Sequence, residues 1–111
     1  MIKALVILHR RPDLTWDAFA RYWREVHGPL VLRLPGLRYY AQQHVRGAFF
    51  GGESPCDGIA EMWFDDVEAL RVAFASPAGS ELQADNPSFV DDARTRLVVA
   101  DEIVLRPLEL E

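Results

Sequence analysis

The chain has 111 residues, half of them apolar and 26% charged, and a formal net charge of −5. That length suits one domain, read as residues 1–111, with one hydrophobic core and no second regulatory unit. Scattered, outnumbered basic residues exclude a nucleic-acid footprint, and the single cysteine, Cys56, excludes an intrachain disulfide and a cysteine-based zinc motif.

Ile2 to His9 is a continuous apolar run of strand length, as in a strand buried on both faces. It is too short for a secretory signal, and His9-Arg10-Arg11-Pro12 ends it without a small-residue cleavage site. No run approaches the ~20 apolar residues that span a bilayer, so no membrane partner and a cytoplasmic location are expected. Thr15 is a plausible N-cap, and Asp17 sits where a helix dipole favours an acid. Trp16, Phe19, Ala20, Trp23, Val26, His27, Leu30, Val31 and Leu34 then recur at helical spacing, with Asp17, Arg21, Arg24 and Glu25 opposite. Gly28-Pro29 predicts a kink or short break, and Pro35-Gly36 the helix end.

Leu37 to Val45 and Asp57 to Phe64 read as two strands of a hairpin with a long glycine-rich tip. Asp65 or Asp66 caps a second helix, with Glu68 placed for a capping box and Val67, Leu70 and Phe74 facing the core. Ser76-Pro77 restarts that helix, Asn86-Pro87 breaks it, and Arg96 to Leu105 is the last strand. The order is β-α-β-β-α-β, an α+β ferredoxin-like plan of four antiparallel strands with two helices on one face.

Helices on one face leave the other uncovered, yet both outer strands are apolar on both sides. Ala4, Val6 and Leu8 oppose Leu5 and Ile7; Leu97, Val99 and Ile103 oppose Val98, Ala100 and Val104. A second layer is needed, and another copy of the same surface supplies it, so a homodimer with facing sheets is expected.

Gly58, Ala60, Met62 and Phe64 are assigned to the helix side, Ile59, Glu61 and Trp63 to the partner side. Gly58 and Ala60 are small and leave space under the helices, where Tyr40 and Gln42 fit if they share that face; Tyr39 competes with Tyr40 for it. His27 lies one turn after Trp23 on the apolar helix face. A neutral imidazole there can exchange protons near pH 7, or be a core histidine satisfied by a backbone carbonyl beside Gly28-Pro29. Trp23, Phe74 and Phe89 would wall an apolar pocket with Ala60 and Met62. His9 ends a strand at the rim, His44 ends another and reads as exposed, Asp91-Asp92 reads as a solvated turn, and Glu61 as an acid paired with an arginine or a tryptophan N–H. Three histidines without ligand spacing predict no metal site, and no phosphate-loop, dinucleotide or Ser-His-Asp pattern is present.

The stretch Phe19 to Pro29, F-A-R-Y-W-R-E-V-H-G-P, resembles the helix signature of the EthD family. Pro35-Gly36-Leu37, then Tyr40, Gln42 and His44, then Asp57 to Phe64, Ser76-Pro77, and Asp85 followed by Phe89 are similar too, so the likeness covers nearly the whole chain. It implies a dimeric α/β barrel, without cofactor, in bacterial breakdown of ethers and other small organic compounds beside a partner monooxygenase. The family is often grouped with oxidoreductases, and superfamily relatives include lactone isomerases, polyketide cyclases and cofactor-independent monooxygenases. One departure stands out. Plant cyclases of this fold place a catalytic histidine where this chain has Gly79 and its tyrosine where it has Ala73, whereas His27 matches a cavity-lining tyrosine of that group. The expected function is therefore binding of an apolar ligand between sheet and helices, with His27 moving a proton and Tyr40 donating to an oxyanion. The rival is a non-catalytic dimeric carrier serving an oxygenase.

Overall fold

A computed structural model describes residues 1–110. Strands β1 (Ile2–Leu8), β2 (Tyr39–His44), β3 (Gly58–Phe64) and β4 (Arg96–Ala100) form one antiparallel sheet in the order β2-β3-β1-β4. Helices α1 (Trp16–Tyr22), α2 (Gly28–Val31), α3 (Val67–Ala75) and α4 (Pro77–Asp85) lie on one side. This is the ferredoxin-like arrangement.

Period-2 alternation sets the faces. Ala4, Leu8, Ala60, Met62 and Phe64 are buried, and Phe19, Trp23, Val31, Leu34, Leu70, Ala73 and Leu82 close over them. Tyr40, Gln42 and His44 pair with Met62, Ala60 and Gly58, so Tyr40, not Tyr39, shares the helix face. On the outer face Tyr39 stacks on Trp63 with 4.4 Å between centroids, and the Lys3 ammonium lies 4.5 Å from the Trp63 ring. Glu61 accepts from Lys3 at 2.9 Å and from the Trp63 indole at 2.7 Å. Those two donors, Lys3 first, hold its carboxyl below the usual carboxylate range, so Glu61 is an ionised surface partner.

Four local expectations change. Gly28-Pro29 does not break the helix: Gly28 keeps helical angles (φ −53, ψ −47), and the preceding turn, Trp23–His27, widens to a π-helix. A wide turn there relieves the clash of the proline ring with the carbonyl four residues back. Asp66 caps α3 through the Ala69 N–H at 2.8 Å, one residue too late for Glu68 to complete a capping box, and Glu68 pairs with Arg71 instead. Val67 is consequently 43% exposed, whereas Leu70 is buried. Finally, β4 stops at Ala100, opposite Lys3 near the start of β1. Residues 101–105, expected to continue it, leave the ladder, and Ile103 and Leu105 are exposed.

Candidate functional site

Between sheet and helices lies a cavity of about 270 Å³. Trp23, His27, Tyr40, Ala60, Met62 and Phe74 line it. Two other expected pocket residues do not. Phe89 is fully buried behind His27, its ring 4.5 Å from the imidazole and stacked on Phe19 and Tyr22. Gln42 sits on the far side of Tyr40, in a groove with Gly28 and Pro29. Gly58 also differs from expectation: a Cβ there would lie 2.5 Å from Trp23, so its missing side chain seats the indole, and Ala60 is the small residue facing the cavity.

His27 is 7% exposed. Its Nδ1 lies 2.8 Å from Asp85 Oδ2, and the Tyr22 hydroxyl donates to Asp85 Oδ1 at 2.6 Å. The partner is thus a carboxylate from the end of α4, not a backbone carbonyl. Burial pushes the imidazole pKa below its ordinary value, and Asp85 opposes that shift without reversing it. At neutral pH the ring is therefore neutral, with its proton on Nδ1 facing the carboxylate. Nε2 is left as the basic nitrogen.

The second polar group is equally constrained. Gln42 Nε2 donates to the Trp23 carbonyl at 3.0 Å and to the Tyr40 hydroxyl at 2.8 Å, while Gln42 Oε1 faces His44 Nε2 at 2.8 Å. Both amide protons are spent, so the Tyr40 oxygen accepts and its own proton is free to be donated. Burial raises the Tyr40 pKa, with Gln42 and Trp23 opposing, so the phenol stays protonated. His44, expected to be exposed, is half-buried with its ring 4.6 Å from Trp23. The π-turn belongs to this network, since Gln42 satisfies one of its carbonyls and Gly28 lets the strand approach: a Cβ there would lie 3.0 Å from Gln42 Nε2.

Asp85 was visible in the sequence only beside Phe89; its pairing with His27 spans 58 residues and no spacing rule reaches it. Asp92, read as a solvated turn, is exposed but also lines the cavity with Gln83, Asn86 and Thr95. Among the described residues no three His, Cys, Asp or Glu side chains gather as a metal site, and no helix is long and apolar enough to cross a membrane. Gly79 has no room for a histidine, because a Cβ would lie 2.4 Å from the backbone oxygens of Ala73 and Phe74. Gly79→Ala should therefore cost about 1–3 kcal/mol of stability through overpacking. Urea denaturation checks this; an unchanged midpoint would show that α3 and α4 can separate freely.

An EthD family protein from Bacillus halodurans superposes with a TM-score of 0.79 at 28% identity, covering 93% of this chain and 100% of that one. An uncharacterised 11.0 kDa protein from the thcB–thcC intergenic region of Rhodococcus erythropolis is 28% identical over 88 residues, 79% of this chain and 84% of that one. Two further structures are similar in fold alone. A dimeric ferredoxin-like protein from Thermobifida fusca has a TM-score of 0.67 at 17% identity, covering 89% of this chain and 88% of that one. SnoaB, a cofactor-independent oxygenase from Streptomyces nogalater, has a TM-score of 0.68 at 12% identity, covering 96% of this chain and 97% of that one. Residues 11–93 match the EthD domain, and the chain belongs to the EthD family.

Proposed function

We propose that the cavity binds a small, largely apolar carbonyl compound and that His27 removes a proton from the carbon next to the carbonyl. The carrying observation is the arrangement of His27: a buried neutral imidazole on the cavity wall, with Nδ1 tied to Asp85, which leaves Nε2 as the basic nitrogen. In the step, the C–H proton passes to Nε2, the bonding pair moves into the carbonyl, and the resulting enolate oxygen takes a hydrogen bond from Tyr40. Asp85 stabilises the imidazolium that forms. Return of the proton to another carbon gives an isomer, and the step calls for no cofactor. About 270 Å³ lies just below the usual ~300–1,000 Å³ range of small-molecule pockets, which favours one or two fused rings.

The test is solvent deuterium exchange, followed by NMR, into cyclic ketones and lactones with and without the protein. Exchange accelerated by wild-type protein supports the reading. Ligand binding with no acceleration overturns it in favour of the rival, a carrier that delivers its ligand to a partner oxygenase.

The outer sheet face fits a second copy of the chain. Leu5, Ile7, Ile59 and Trp63 are only half-buried there, and Val98, paired with Leu5, is 45% exposed. A structural relative described as dimeric supports the same reading. Leu5→Lys places a charge in the middle of that face. Light scattering should show a dimer for the wild type and a monomer for the variant; a monomeric wild type removes the proposal.

A further inference from the structure

The cavity opens along β4, where the helix-side residues Leu97 and Val99 are 39% and 47% exposed. Gln83, Asn86, Asp92 and Thr95 form its polar rim, with Gln83 and Asp92 exposed and the other two half-buried. Their hydrogen-bond accounts are one-sided. Gln83 Nε2 donates to the carbonyls of Phe74 and Gly79, both at 3.0 Å. Asn86 Nδ2 donates to Asp92 Oδ1 at 3.3 Å. The Thr95 hydroxyl donates to the Asp91 carbonyl at 3.0 Å. Each partner is an oxygen that can only accept, so the amide orientations are fixed by their neighbours. What remains for a ligand is Gln83 Oε1, Asn86 Oδ1, the Asp92 carboxylate and a lone pair on Thr95, against one unspent amide proton on Asn86: the rim is mostly acceptors, with a full negative charge among them. Among the described residues, none that lines the cavity is a lysine or arginine.

We infer that the ligand carries a hydroxyl at the end remote from its reacting carbonyl, donated to this acceptor rim, and that a carboxylate in that place is rejected. The inference rests on the cavity being the ligand site proposed above. A hydroxyl has a proton to give to the Asp92 carboxylate and its neighbouring oxygens, while an ether oxygen leaves those acceptors unmatched and a carboxylate adds repulsion from Asp92. The inner end has the opposite requirement, since Tyr40 has a proton to give. The site is therefore polarised along its length, and a hydroxyketone enters in one orientation.

Three tetralones differing only on the aromatic ring, remote from the ketone, test this by calorimetric titration: hydroxy, methoxy and carboxylate. The hydroxytetralone should bind roughly tenfold more tightly than the methoxy compound, the loss expected for one unmade hydrogen bond, and the carboxylate more weakly still. Asp92→Lys, a change on an exposed turn, should bring the carboxylate ahead of the hydroxyl compound. Equal affinities within about twofold, a carboxylate that binds wild-type protein tightest, or no binding by any of the three overturns the inference. Deuterium exchange on the same compounds is read separately. The expected order of affinities without exchange would sink proton transfer by His27 and leave the rim intact; exchange without the order would do the reverse.

Discussion

His27→Gln should reduce deuterium exchange into a bound ketone by roughly 10²–10⁴-fold, the range for loss of a positioned general base. Glutamine keeps an N–H that can reach Asp85 but offers no nitrogen basic enough to take a carbon-bound proton. Ligand affinity should hold within a few-fold, because Trp23, Ala60, Met62 and Phe74 still wall the cavity. Exchange that survives the change would exclude His27 as the base. Folding gives an independent reading of the same ring. Burial, opposed by Asp85, holds the folded-state pKa of His27 below 6.5. Between that depressed value and 6.5 the unfolded chain carries a proton that the folded chain lacks, so stability rises with pH in this window. The contribution is complete above pH 6.5 and is lost as the pH falls through the folded-state value. His44, lowered by burial and then by Arg24, acts in the same direction. Thermal melts of His27→Gln should therefore fall less steeply than wild type on acidification; an equal or steeper fall contradicts a buried neutral His27.

The features readable in the sequence are those that depend on neighbours a few residues away. Alternation in Gly58–Phe64 placed its two faces correctly, because a strand buried on one side must repeat every second residue. Helical spacing likewise put Trp23 and His27 on one buried face, where both line the cavity. Ser76-Pro77 marked a restart because the serine caps α4, accepting from the Gly79 N–H at 3.1 Å. What could not be read depends on register and on contacts across the chain. β4 leaves its partner at Ala100, opposite Lys3, with no breaker in Asp101 to Leu105 to announce it. Strand alternation puts Gln42 on the face of Tyr40, and aromaticity suggests Phe89 as a wall, yet a shell around the cavity needs supports as well as walls, and these two stand behind Tyr40 and His27. The acceptor-rich character of the rim is further from reach still, since it appears only from the contacts that the folded side chains make.

Asp85→Asn should lower the exchange rate by roughly 10²-fold or more, approaching the loss of the base itself. Two hydrogen bonds meet on one carboxylate, from Tyr22 at 2.6 Å and involving His27 Nδ1 at 2.8 Å. An asparagine offers one oxygen and one NH₂ group. If its oxygen accepts from Tyr22, its NH₂ faces Nδ1, and the imidazole must carry its proton on Nε2, where the base is needed. The variant also loses the charge that stabilises the imidazolium formed during the step. Both Asp85 contributions raise the His27 pKa in the wild type, so their loss must move the acid limb of the rate profile to lower pH. A smaller rate with a limb displaced toward acid is a pairing that mere loosening of the fold would not produce. Tyr22→Phe in the Asp85→Asn background removes the competing donor, frees the asparagine oxygen for Nδ1–H, and should recover part of the rate. A limb that stays in place or moves toward alkali, with no recovery in the double variant, would show that Asp85 does not act through His27.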